Sequence, residues 1–269
     1  MIRTAVIGCG YWGPKLIRNI YEQPRSQARY VCDLNPKRLE AITRRYPGVE
    51  PIQDYRKVLA DPDVDAVVVA TPVDTHYPIA KAALEAGKHV MVEKPLTDSS
   101  EHAEELIDLA KRNGRTLMVD HTFLFTAAVK RMKEVVDSGE LGDIFYIDSV
   151  RVNLGLFQHD INVVWDLGPH DISIAYHLFE RLPESVSAVG AAHIDSAIQD
   201  VAYVTLNYPG NLLAHFHVNW LAPVKVRRML VGGSKKMLLW DDIEPSEKIK
   251  VYDSGVTVKG IPEKAPDKG

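Results

Sequence analysis

Cysteine is nearly absent from this 269-residue chain, which has two, Cys9 and Cys32. Two thiols cannot build a disulfide framework. Both fall where a buried strand or turn is expected, so they read as small packing residues and not as a redox pair. A strong charge bias is missing too: the net charge is −4, which gives no electrostatic reason to expect nucleic acid or an anionic membrane. No apolar run approaches the length of a membrane span. The first residues pass straight into a strand, with no charged leader or small-residue cleavage site, so the cytoplasm is the expected compartment. There is no GxSxG elbow and no catalytic-cysteine context. Internal repeats and low-complexity linkers are also lacking. What is present is the composition of a globular protein with material for one large or two ordinary domains.

The most informative stretch is Arg3–Gly13, RTAVIGCGYWG. Ala5-Val6-Ile7 suits a buried strand, and it breaks into Gly8-x-Gly10-x-x-Gly13. Pro14 and the spacing of Leu16, Ile17 and Ile20 then suit a helix. In such a unit Gly8 permits a tight turn, Gly10 lets a pyrophosphate approach the backbone, and Gly13 lets helix and strand pack closely. The helix N-terminus offers N–H groups and a positive dipole end to the phosphates. Arg29–Cys32 reads as a second strand ending at Asp33, about 20 residues past the last glycine, where dinucleotide folds place the acid that holds the ribose 2′-OH. A carboxylate there repels a 2′-phosphate, so NAD is favoured, while the nearby Lys37 and Arg38 keep NADP as the alternative.

Strand and helix signals alternate from residue 1 to about 120. Pro36–Arg45 is a helix, a short one follows Asp54, and Ala66–Ala70 is an uninterrupted apolar strand. Helix Tyr77–Ala86 stops at Gly87, and strand His89–Glu93 follows. Ser99 or Ser100 opens a helix with Ala103, Leu106, Ile107 and Ala110 inward, and Thr116–Asp120 is a strand. Such alternation predicts an α/β, doubly wound parallel sheet covered on both faces. The pattern then changes. Ala127–Ser138 is a helix, another ends near Phe179, and five strands follow: Val186–Ala192, Val201–Tyr208, Leu212–Trp220, Val226–Val231 and Lys236–Trp240. Joined in sequence by short turns, they are expected to pair antiparallel, giving an α+β second domain with helices on one face. The expected domains are 1–121, dinucleotide-binding, and 122–269, substrate-binding, with Ile261–Gly269 fraying.

Ligands of an open parallel sheet bind beyond the carboxyl ends of its strands. Ala70-Thr71-Pro72 with Thr75-His76, Glu93-Lys94-Pro95, and Asp120-His121-Thr122 all fall there. Lys94 can hydrogen-bond a substrate oxygen and stabilise developing alkoxide charge; a plain surface lysine is the competing reading. Farther on stands Trp165-Asp166-Leu167-Gly168-Pro169-His170-Asp171. A proline is tolerated in the first helical turn, so the helix is expected to start near Asp166. Ile172, Ala175, Tyr176 and Phe179 would then face the core, with Asp166 and His170, four residues apart, turned away from it. A carboxylate beside an imidazole fixes its tautomer and raises its basicity; Asp166 as a helix cap beside an ordinary His170 is the alternative. His159, Asp160, Asp166, His170 and Asp171 lack metal-ligand spacing, so no metal is expected. Trp220, Trp240 and the aromatics around Phe123 and Phe125 read as core.

The fingerprint GCGYWG, the run VVVATPVDTHYPIAKAALEAGKHVMVEKPL and the later WDLGPHDISI together resemble the glucose–fructose oxidoreductase / inositol dehydrogenase (Gfo/Idh/MocA) family. The resemblance implies an NAD(P)-dependent enzyme acting on CH–OH groups. Lys94 would match the catalytic lysine, followed by a Lys94-Pro95 bond often cis in the family. Asp166 and His170 would match the substrate-holding acid and the proton-transferring histidine. The cofactor contacts would be Gly8, Gly10, Tyr11, Trp12, Gly13, Asp33, Thr71, Pro72, Thr75, His76, Glu93, Lys94 and His121. The second domain would shape the substrate pocket and provide a dimer or tetramer contact through its sheet.

Where many members carry a Gly-Gly pair, this chain has Asp160-Ile161-Asn162-Val163-Val164. That form resembles the subgroup acting on nucleotide-linked or amino sugars, which implies oxidation of a nucleotide sugar, such as the 3-hydroxyl of a UDP-linked 2-acetamido sugar. The expected partners are therefore a small sugar or sugar-nucleotide substrate and further copies of the chain, without nucleic acid or membrane. Family chains usually continue for another strand and helix, so the C-terminal end is read as shortened. Two other readings stay open: an NAD-dependent glycosidase working through a transient keto-sugar, and a non-catalytic NAD-binding regulator.

Overall fold

The computed structural model describes residues 1–155, 157, 158 and 160–255. His159 and the Ile261–Gly269 segment lie outside them. The chain divides into two compact units, one of Met1–His121 and one beginning at Thr122.

The first unit runs β1 (Ile2–Ile7), α1 (Gly13–Glu22), β2 (Ser26–Cys32), α2 (Pro36–Arg45), β3 (Glu50–Ile52), α3 (Tyr55–Ala60), β4 (Ala66–Val69), α4 (His76–Glu85), β5 (His89–Val92), α5 (Ser100–Arg112) and β6 (Leu117–Val119). Its sheet has the order β3-β2-β1-β4-β5-β6, and every pairing is parallel. Alternate residues of one strand serve different cores. Ala5 and Ile7 of β1 join Val67 and Val69 of β4 in one cluster, whereas Val6 and Val68 belong to the other. That is why these strands are apolar throughout instead of alternating. Side chains close three helix starts: Asn35 accepts from Lys37 N–H, Asp54 from Arg56 N–H and Ser99 from His102 N–H. One expectation for α5 is corrected. Ile107 is exposed, Ala103 is half-buried, and Leu109 joins Leu106 and Ala110 inside. The three-residue β3, which contains Pro51, is an edge strand that periodicity cannot register.

The second unit runs α6 (Ala127–Asp137), β7 (Ile144–Leu154), α7 (Val163–Phe179), β8 (Ser185–Ala191), β9 (Val201–Asn207), β10 (Leu213–Asn219), β11 (Leu221–Gly233), β12 (Met237–Asp241) and β13 (Ile249–Tyr252). The sheet order is β13-β12-β11-β7-β10-β9-β8. Its pairings are antiparallel except β10 with β7, which is parallel. The expected pairing of consecutive strands therefore fails at one place. β10 and β11 are separated by Trp220 alone, yet they flank β7 on opposite sides. The chain rounds the end of β7, where Gly155 N–H donates to Trp220 O at 3.1 Å and Trp220 N–H to Asp200 O at 2.9 Å. Helices α6 and α7 pack on the sheet through Met132, Val135, Ile174 and Leu178 against Phe216, Met229 and Leu238.

Helix α7 departs from expectation in two ways. It begins at Val163, with the Asn162 side chain accepting from Val164 and Trp165 N–H at 3.1 Å each, so Pro169 lies inside it. A proline there removes one helical hydrogen bond. The start is held instead by the Asn162 cap and by Val163, which is fully buried in a cluster with Val218 and Trp220. The inward face is also different. Val163, Asp171, Ile174, Ala175 and Leu178 are buried, whereas Ile172 and Tyr176 are exposed and Phe179 is half-buried. Starting the helix three residues earlier leaves the angular order of the residues unchanged; what sets the face is the sheet beneath it.

Candidate active site

In the first unit the candidate site begins at the turn after β1. Gly8 has φ of +100°, and a Cβ there would lie 2.4 Å from Ala70 O; one on Gly13 would lie 2.0 Å from Gly8 O. Neither position admits a side chain. A Cβ on Gly10, by contrast, meets nothing within 4 Å, so its backbone is open to an approaching group. Helix α1 starts with a proline in its first turn and no side-chain cap, which leaves its first N–H groups to an anion. The Asp33 carboxylate accepts from Cys9 N–H and Asn35 N–H, both at 2.8 Å, and Arg38 lies 3.5 Å away. Tyr11 and Trp12 stack, with the Lys15 ammonium 4.0 Å and 3.8 Å from their ring centres. These features fit a dinucleotide, with the pyrophosphate at Gly10 and α1 and a ribose hydroxyl at Asp33. Cys9 and Cys32 are free and buried, and burial pushes both thiols up to about 12, so neither is a nucleophile near neutral pH.

The ends of β4, β5 and β6 lie side by side. Thr75 Oγ1 donates to Thr71 Oγ1 at 2.7 Å. His76 is buried, and its ring nitrogens face Pro95 O at 2.8 Å and Thr71 O at 2.9 Å, so it ties the turn after β4 to the turn after β5. Lys94-Pro95 is cis. Glu93 N–H bonds to Val69 O and Asp120 N–H to Val92 O, both at 2.9 Å, which sets residues 93 and 120 beside one another at the sheet's edge. Glu93 is raised to about 8, first by burial and then by a hydrogen bond to Asp120 and its charge. His121 is lowered by burial, with Asp120 opposing and Lys94 adding to it.

The second unit carries its own group of candidate residues. Asp166 and His170 share one side of α7, both half-buried. The Trp220 indole N–H donates to Asp166 Oδ2 at 3.1 Å. The His170 ring packs edge-on against Phe123, centroids 4.9 Å apart. The Arg151 guanidinium lies 4.6 Å from the centre of the Phe123 ring. Arg151 in turn makes three hydrogen bonds, of 2.7–3.2 Å, to the next residue of α7, Asp171. So the carboxylate is oriented by an indole, and the imidazole by an aromatic ring backed by a buried ion pair. Sequence reasoning missed these supports. Trp220, Trp240 and Phe123 read as core, and the first two are buried, but nothing local marks an indole N–H aimed at residue 166. Phe125, also read as core, is 60% exposed. Among the described residues no group of three or more His, Cys, Asp or Glu side chains is placed to hold a metal ion, and no helix is long and apolar enough to cross a membrane.

Residues 2–121 match the oxidoreductase family with an NAD-binding Rossmann fold, and residues 129–239 match the GFO/IDH/MocA C-terminal domain. The chain is 31% identical over 260 residues to the uncharacterized oxidoreductase YdgJ of Escherichia coli, covering 91% of this chain and 73% of YdgJ. It is 30% identical to the UDP-N-acetylglucosamine 3-dehydrogenase of Acidithiobacillus ferrooxidans, covering 97% of this chain and 80% of that enzyme. Among solved structures, GenD2 from gentamicin A biosynthesis, in complex with NAD, superposes with a TM-score of 0.85 at 25% identity, over 89% of this chain and 72% of GenD2. The chain spans less than two thirds of two Bacillus subtilis relatives, 65% of YrbE and 63% of IolW. With both halves matched and the glycine turn built for a dinucleotide, the chain belongs to the GFO/IDH/MocA oxidoreductase family and carries its NAD-binding Rossmann domain.

Proposed function

We propose that the protein is an NAD-dependent dehydrogenase acting on a hydroxyl-bearing carbon of a sugar or nucleotide sugar, with C3 of a UDP-linked 2-acetamido sugar as the leading substrate. The observation that carries this reading is the Asp166–His170 pair on α7, with Asp166 held by the Trp220 indole and His170 braced by Phe123. A partly buried imidazole with an oriented carboxylate four residues away is built to take a proton. The A. ferrooxidans relative, a UDP-N-acetylglucosamine 3-dehydrogenase, supports the substrate class.

In this mechanism His170 accepts the hydroxyl proton as the bond from oxygen to hydrogen breaks. Asp166 holds the substrate and the imidazole in register, and Lys94 donates a hydrogen bond to the same oxygen, stabilising the charge that develops on it. Bound nicotinamide supplies hydride-transfer chemistry. The residues that would hold the cofactor are Gly8, Gly10, Tyr11, Trp12, Gly13, Asp33, Thr71, Pro72, Thr75, Glu93, Lys94 and His121, with His76 shaping the turns beneath them. Lys94→Ala and His170→Ala are each expected to abolish turnover in a panel of sugars and UDP-sugars, read as NADH absorbance, with NAD affinity changed less than about threefold. Full turnover in both variants would overturn the assignment.

Self-association through the second sheet belongs to the same proposal. Every residue of β8 is exposed; Val189, 67% exposed, pairs with Tyr203 and shares its face with Leu213, so an apolar surface runs from β8 onto β9 and β10. Light scattering of the wild type and of Val189→Arg checks it, with a smaller particle expected for the variant.

A further inference from the structure

The proposed mechanism leaves Asp120, a buried acid at the end of β6, unused. The parallel register of β5 and β6 pairs Val92 with Val119, so the next residues, Glu93 and Asp120, leave the sheet together at its ligand-binding edge. Their side chains are within hydrogen-bonding reach of one another. Glu93 Oε1 and Asp120 Oδ2 are both buried and meet no donor among the described residues. Ionised carboxylates only accept. Two of them facing each other in a buried place repel and leave both oxygens unsatisfied, whereas one proton turns one of the two into a donor and removes both penalties.

We propose that Asp120 is a positioning residue that keeps the Glu93 carboxyl protonated, so that the nicotinamide end of the cofactor and the Lys94 ammonium meet one negative charge instead of two. The charged and titratable groups around the pair in this unit agree with that state. Lys94 follows Glu93 and favours its ionised form through both ammonium and backbone N–H. His121 follows Asp120 and is itself kept towards neutral by burial and by Lys94. His76 has both ring nitrogens directed at the carbonyls of Pro95 and Thr71. The Lys94 ammonium therefore faces a pair carrying one negative charge. Losing the Glu93 proton adds a second negative charge to the pair. Oxidised nicotinamide is cationic and its reduced form neutral, so the added charge holds NAD+ more tightly than NADH.

This inference rests on the proposed site only in putting the nicotinamide end at the β5–β6 edge; the proton on Glu93 does not depend on it. Carboxyl-carbon NMR of the whole chain with labelled glutamate tests the proton. One glutamate is expected to titrate well above the ordinary carboxylate range in the wild type. In Asp120→Asn, whose amide can donate to an ionised Glu93, that titration moves down by more than one pH unit, and in Glu93→Gln it disappears. No high-titrating glutamate in the wild type, or one unmoved in Asp120→Asn, overturns the proposal. Fluorescence and calorimetric titrations with NADH and NAD+ test the consequence. Between about pH 6.5 and 9.5 the ratio of the NADH to the NAD+ dissociation constant rises at least about threefold in the wild type and stays flat in Asp120→Asn. A titrating pair with a flat ratio in the wild type overturns the link to the nicotinamide. Failure of both cofactors to bind overturns the proposed function and leaves the NMR result standing by itself.

Discussion

The Arg151–Asp171 ion pair makes a sharp prediction, because its two side chains are 3% and 1% exposed and joined by three hydrogen bonds. Asp171→Ala leaves a guanidinium in the core beneath α7 with no carboxylate. Breaking a buried pair by removing one partner costs about 3–5 kcal/mol. With a urea slope of about 2 kcal/mol/M, the unfolding midpoint of the second unit falls by about 1.5–2.5 M. Tryptophan fluorescence reads this, since three of the four tryptophans, Trp165, Trp220 and Trp240, belong to the second unit. Replacing both partners with apolar residues of similar volume, Arg151→Met with Asp171→Leu, is expected to recover most of the loss, because no charge is then left buried. Recovered stability should not bring recovered activity. Without the Arg151 guanidinium, the Phe123 ring against His170 loses the nearer of the two guanidinium groups packed on it. A midpoint shift below about 0.5 M in Asp171→Ala, or a paired variant no more stable than the single one, would refute the reasoning.

Asp33→Ser removes the carboxylate that repels a 2′-phosphate and releases Arg38 from its 3.5 Å contact; the NADP-to-NAD preference is expected to rise about tenfold or more, measured as a ratio of dissociation constants. The pH dependence of stability has two limbs. Burial, and then the charge of His215, lower His217, with Asp148 opposing, and burial also lowers His121. A base with a depressed folded pKa is protonated first in the unfolded chain, so stability falls as pH drops below about 6.5 through the folded values. Glu93, raised to about 8, acts at the other end: the folded state holds its proton more tightly, so its contribution is lost as pH rises from the ordinary glutamate range to about 8. Thermal melts from acid to alkaline pH should therefore show a maximum near neutrality, with the alkaline limb shallower in Glu93→Gln.

The parts of this molecule that were legible in its sequence are those governed by short-range chemistry. Gly8 and Gly13 are required because a Cβ at either would meet backbone within one turn of chain or the next strand. Asp54 and Ser99 precede the helices they cap because the partner N–H groups lie two or three residues on. The illegible parts depend on what is packed underneath. Pro169 argued for a helix start near Asp166, but the Asn162 cap and the burial of Val163 outweigh one lost hydrogen bond. Short turns argued for pairing successive strands, yet β7 lies between β10 and β11. At the candidate site, Lys94, Asp166 and His170 could be singled out by residue type and motif. Trp220, Phe123, Arg151 and Asp120 could not, because their contribution is a direction in space and carries no sequence mark.

Trp220 has a consequence beyond its contact with Asp166. Its amide, its carbonyl and its indole are committed to Asp200, Gly155 and Asp166 in turn, and it is the whole length of the passage from β10 to β11. That corner has no slack: a single inserted residue there would pull three distant segments out of alignment together. Natural variation in loop length should therefore collect at the opposite rim of the sheet, and the amide at position 220 should be among the slowest in the molecule to exchange with solvent.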